Sequence, residues 1–116
     1  MKTFVAVFLG SAAKMDAWKQ MDEAERKPKE IAGMQAWQAW MQTNAKAIVD
    51  EGGPLGKTKR VSKQGVADVR NEMGAYTVVQ AESHEAAAKL FENHPHYMIF
   101  PGDAIELMER LPIPGG

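Results

Sequence analysis

Two short stretches of this sequence are apolar on both parities, and that limits the folds open to the chain. From Thr3 to Leu9, Phe4, Ala6 and Phe8 fall on one side while Val5, Val7 and Leu9 fall on the other. From Ala75 to Ala81, Tyr76, Val78 and Val79 give a similar run. A strand with one face in water alternates apolar and polar residues, whereas a strand covered on both faces need not. Both runs are therefore expected to be central strands, the first closed by Gly10-Ser11.

The intervening residues read as helices and a hairpin. Ala12 to about Lys27 places Met15, Trp18 and Met21 at spacings of three, and Pro28 is expected to stop or kink that helix. Its charged run DEAERKPKE reads as a solvated face. A longer helix is expected from near Glu30 to Glu51, because Met34, Trp37, Met41, Ala45 and Ile48 step by three and four. Trp40 widens that stripe, and Gly52-Gly53-Pro54 reads as a helix stop and turn. Leu55–Ser62 and Val66–Asn71 look like two arms of a hairpin joined by Lys63-Gln64-Gly65.

The last third, from Ala81 onward, predicts a helix, a hinge and a strand. Ser83 is a good N-cap, Glu85 suits the positive helix end, and Ala87, Leu90 and Phe91 form the inner stripe. Pro95 disfavours helical geometry at His94, so the helix is expected to end near Asn93. From Ala104, Ile105, Leu107, Leu111 and Ile113 alternate with Glu106, Met108 and Arg110, which predicts one dry and one mixed face. Counting the hairpin as one bent edge element, the order is that of a split βαβ unit. The fold class expected is α+β, ferredoxin-like, with an antiparallel sheet whose first and third strands are central.

Composition sets outer bounds. At 116 residues, 45% hydrophobic and 25% charged, residues 1–116 read as a single globular domain. A net charge of −1 gives no general pull toward nucleic acid or a membrane surface. The chain has no cysteine, which removes disulfides, thiolate metal sites and thiol nucleophiles, and fits a cytoplasmic location. The N-terminus imitates a short signal peptide, but cleavage would delete the best strand, so the segment reads as structure.

Several segments together resemble the YCII-related (DGPF-type) domain family. They are IVDEGGPL before the hairpin and AESHEAAAKLFENHPHYMIFPGDAIELMERLPIPG at the end. The likeness lies in a Gly-Gly-Pro-Leu turn, an E-A-A helix ending at a proline break, and a final G-x-x-I-E-x-x-x-x-P-I strand. It implies a subunit that pairs into a dimeric α/β barrel, with a cavity between sheet and helices. The chain departs from the family's pattern in one respect. Several relatives carry a histidine on the long helix, proposed to act with an aspartate, whereas here no histidine precedes His84. Trp40 and Met41 stand in that neighbourhood, so that role is not carried over. The DGPF string is also absent, its nearest matches being Asp50–Leu55 and Phe100-Pro101-Gly102-Asp103.

The candidate site residues follow from side-chain chemistry. His94 and His96 flank Pro95, and an imidazole can carry a proton near neutral pH. If the protein is an enzyme, one of them is expected to be catalytic, with Asp103 orienting it. The competing structural reading has them cap the preceding helix and pack the hinge. Trp37, Trp40 and Met41 are expected to line an apolar ligand pocket, against the alternative of plain helix–sheet core. Lys57, Lys59, Arg60 and Lys63 read as a solvated sheet edge, because the hairpin lacks aromatic residues for base stacking. The expected function is small-molecule binding by a homodimer without a cofactor or metal, or a cofactor-free enzyme using histidine. The alternative is a non-catalytic interaction domain.

Overall fold

The computed structural model describes residues 1–115. It has ten elements: β1 (Lys2–Leu9), α1 (Ala12–Gln20), α2 (Glu23–Thr43), β2 (Ile48–Pro54), β3 (Thr58–Ser62), β4 (Gly65–Val69), β5 (Met73–Ala81), α3 (His84–Lys89), α4 (Pro95–Met98) and β6 (Ala104–Glu109). The main sheet runs β2-β5-β1-β6, with each neighbouring pair antiparallel. The two strands with apolar residues on both parities, β1 and β5, are the central pair. Phe4 lies opposite Val79 and Val5 opposite Val78.

The helices cover one face of this sheet. Phe4, Ala6, Phe8, Val79, Ala81, Ala87 and Phe91 form the buried core, with Trp37, Trp40 and Ile48 packed against it. On the opposite face, Val5, Val7, Tyr76 and Val78 are only half-buried within one chain.

The sequence reading differs from the structure at four places, each with a physical cause. The first helix break falls at Met21-Asp22 and not at Pro28, which lies inside α2. Asp22 caps α2, and the Arg26 guanidinium donates to the Lys19 and Met21 carbonyls at 2.9 and 3.1 Å. Those bonds satisfy the carbonyl end of α1 and fix the break.

The long helix ends at Thr43, well short of Glu51, and Asn44 closes it with a side-chain bond to the Trp40 carbonyl. Ile48, assigned by its period to the helical stripe, pairs with Val79 at the sheet edge. The edge strand is thus β2 and not the hairpin. The arms β3 and β4 pair only with each other, as a separate two-stranded sheet.

Within β2, Gly52 has φ 66° and its α-carbon passes close against the Tyr76 carbonyl, a place only glycine fits. Finally, β6 stops at Glu109. Leu111 and Ile113, expected on a dry face, are 69% and 82% exposed because Pro112 and Pro114 leave the ladder.

Candidate functional site

The His94-Pro95-His96 segment is held by hydrogen bonds at both imidazoles. The turn after α3 ends with Asn93 in the left-handed region at φ 57°. Asparagine tolerates that conformation better than most residues. His94 then adopts an extended backbone and caps the short helix α4, its Nδ1 accepting the His96 N–H at 3.0 Å. Pro95 sits at the first helical position, where a missing N–H costs nothing. The hinge histidine thus caps the following helix, not the preceding one.

Because Nδ1 accepts, the proton of neutral His94 lies on Nε2. That atom is fully buried and has no oxygen or nitrogen partner. It sits in a box of rings, with Trp37 and Trp40 edge-on at 4.6 and 4.7 Å and Phe8 at 5.2 Å. Burial, and secondarily the nearby His96, lower the His94 pKa to about 4. His94 is therefore a neutral structural group at physiological pH.

His96 is placed differently. Its Nε2 lies 2.8 Å from the Leu9 carbonyl, which can only accept, so Nε2 carries the proton and Nδ1 is left as the basic nitrogen. Burial lowers its pKa, against the raising effects of the Leu9 and Ala104 carbonyls and the Asp103 charge. Gly102 is buried against this ring, and a Cβ there would overlap the imidazole and the His96 carbonyl.

Asp103 does not touch either imidazole. One carboxylate oxygen accepts the Ser11 N–H at 2.7 Å, and the other meets Lys14 Nζ at 2.5 Å. Lys14 first, then the Ser11 amide, hold the Asp103 carboxyl below its usual range. The expected orienting contact is replaced by an indirect link. The Asp103 N–H donates to the same Leu9 carbonyl that His96 uses, at 2.9 Å.

His96 lines a cleft of about 940 Å³ between the sheet and the first two helices. The walls are apolar and soft, with Trp18, Trp37, Phe100, Met15, Met34 and Met73. Phe100 stands between the two indoles, 5.9 Å from Trp18 and 6.0 Å from Trp37. Gln35, Gln38, Asn71 and Thr77 bring polar groups to the same space.

Of the three residues expected to shape a pocket, only Trp37 lines this cleft. Trp40 donates through Nε1 to the Leu90 carbonyl at 2.7 Å and belongs to the core behind it. Met41 is half-buried and also lies off the cleft. Trp18, which by its spacing reads as one of a helical stripe with Met15 and Met21, and Phe100, which lies in a loop, carry no sequence mark of a pocket. Only the fold brings them together. Among the described residues no group of three potential ligands could hold a metal ion, and no helix is long and apolar enough to cross a membrane.

Sheet order, crossover pattern and helix placement define an α+β subunit of ferredoxin-like topology, the fold of dimeric α/β barrels. In chain order, the fourth, first, third and second strands of the sheet stand side by side, as a split βαβ unit requires. No family model and no curated protein matches the chain. Among solved structures, it is similar to 5-chloro-2-hydroxyhydroquinone dehydrochlorinase from Burkholderia phenoliruptrix, in complex with 2,5-dihydroxybenzoquinone. The likeness covers 91% of this chain and 90% of that one, with a TM-score of 0.55 and 17% identity. At that identity it is a likeness of fold.

Proposed function

We propose that residues 1–116 act as one YCII-related domain, a cytoplasmic homodimer that binds a small molecule in the cleft between sheet and helices. The observation that carries this reading is the cleft itself, with its aromatic and thioether walls and one imidazole fixed at its edge. Its volume suits a metabolite-sized ligand. The walls favour a flat, polarisable ring, while Gln35, Gln38, Asn71 and Thr77 can bond oxygen substituents. A similar fold that holds 2,5-dihydroxybenzoquinone supports a hydroxylated ring as the first probe. The half-buried outer face of the sheet supports the homodimer.

In this reading His96 is the proton carrier, and no cofactor takes part. Its lowered pKa keeps the ring neutral at pH 7, and with Nε2–H committed to Leu9, Nδ1 is free to accept a proton from an acidic hydroxyl. Trp37 forms the wall of the site, and Trp40 packs in the core behind it. His94 holds the hinge, and Asp103 fixes the Leu9–Ser11 turn on which His96 hangs.

The test is titration of the protein with 2,5-dihydroxybenzoquinone, read by tryptophan emission. Saturable quenching is expected. In His96→Gln and Gly102→Ala, Kd should rise by about tenfold, the loss of one hydrogen bond or its geometry. No saturable binding, together with a bare dimer in native mass spectrometry, would overturn the reading in favour of a non-catalytic interaction domain. Equal Kd in all three proteins would remove His96 from the site.

A further inference from the structure

The hairpin of β3 and β4 stands apart from the main sheet, its strands paired with each other alone among the described residues. Within one chain no extended contact joins it to the sheet or the helices. The Cα radius of gyration is 16.1 Å, where about 13 Å is usual for a compact chain of this length. The molecule measures 54 by 44 by 18 Å, far from a sphere. A lone two-stranded hairpin is marginally stable in water, so this arm is expected to find cover elsewhere.

Its surface indicates what that cover is. Val61 and Val66 face each other across the ladder and are 77% and 66% exposed, an apolar pair at the tip of the arm. Lys57, Lys59, Arg60 and Lys63 lie along the same arm, and Asp68, the single carboxylate between residues 57 and 69, pairs with Lys59 at 2.6 Å. The arm thus has a net charge of +3, and since the whole chain carries −1, the remainder carries −4. The complement lies on the outer face of the main sheet. There Val5, Val7 and Val78 form a half-buried strip, flanked by Glu106 opposite Val7 and Asp50 opposite Val78. One surface is a valine pair on an arm of net positive charge, the other an apolar strip edged by carboxylates. Nucleic acid fits less well, because the arm has no aromatic side chain for a base to stack on.

We propose that the β3–β4 hairpin is an arm that docks on a second copy of this chain. Val61 and Val66 meet the margin of the partner copy's outer sheet face, and the arm's cations meet the carboxylates flanking it. The proposal rests on the homodimer reading above and adds the element that clasps the two copies. Opposite charges across the contact speed and orient association, and the exposed valines supply the apolar area.

The chain has no cysteine, so Val61→Cys gives it a single thiol at the arm tip. Its rate of reaction with a maleimide is compared with that of Lys27→Cys, an exposed site on α2. In the dimer the arm thiol should react about tenfold more slowly, and dilution to the monomer should abolish the difference. A second variant, Lys57→Glu with Lys63→Glu, which leaves the Lys59–Asp68 pair of the arm intact, should raise the dimer Kd by about tenfold at low salt and by less at high salt.

A dimer whose Val61→Cys thiol reacts as fast as the reference, and whose Kd ignores the charge reversal, overturns the arm and leaves the dimer standing. A protein that stays monomeric overturns both. Protection of the arm thiol by an added single-stranded oligonucleotide, without dimerisation, would assign the arm to nucleic acid instead.

Discussion

The two histidines of the hinge are one residue apart and chemically opposite. His94 is sealed among rings and spends its Nδ1 on capping, while His96 stands at the cleft with its Nε2 held by the Leu9 carbonyl. The depressed pKa of His94 has a consequence for stability. Unfolded, the ring titrates near 6.5, and folded it titrates at about 4. The unfolded state therefore binds the proton first. The stability linked to His94 is fully present above pH 6.5 and is lost as pH falls from there to about 4. At the lower end the loss amounts to about 3 kcal/mol. His94→Asn keeps a capping side chain but cannot titrate, so urea unfolding between pH 6.5 and 4 should have a pH slope smaller by about one proton in the variant. Identical slopes would show that burial of His94 does not govern its protonation.

At the scale of elements, the cleft depends on how closely α2 approaches the loop after α4. Gly33 is the one buried residue of α2, and a Cβ there would lie 2.6 Å from the Phe100 ring. Gly33→Ala therefore has two opposed effects. Helix propensity favours alanine by about 1 kcal/mol. Overpacking against a ring costs about 1–3 kcal/mol, and the ring can yield only by leaving its place between the two indoles. The packing term is the larger, so thermal unfolding should show a lower Tm than wild type, along with altered near-ultraviolet circular dichroism from Trp18 and Trp37. A raised Tm with unchanged aromatic signals would mean Phe100 moves freely and does not define the cleft wall. Helix boundaries are decided at this scale as well. Arg26 reaches back across the break between α1 and α2 to cap α1, and Ile48 carries a helical spacing but serves a strand. A period alone cannot distinguish these cases.

For the whole molecule, the unsettled surface is the outer sheet face. Val5 lies at its middle, flanked by Val78 of β5 and Met108 of β6. A carboxylate there is harmless in a monomer, where water reaches it, and costly in a dimer that buries it. Val5→Asp should thus yield a monomer by light scattering while far-ultraviolet circular dichroism stays unchanged. A dimer of undiminished affinity would move the interface elsewhere.

The sequence by itself determined the central strands, the fold class, the Ser83 cap and the proline break at the hinge. Each of these depends on local backbone preference or on a short-period burial pattern. Tertiary structure alone decided that β2 is the edge strand and that the hairpin stands apart. It also decided that Asp103 serves Ser11 and Lys14 and not an imidazole, and that Trp18, Trp37 and Phe100 share one cleft. Those facts depend on contacts between residues far apart in the chain, and such contacts form only once the sheet has fixed which ends of its strands lie together.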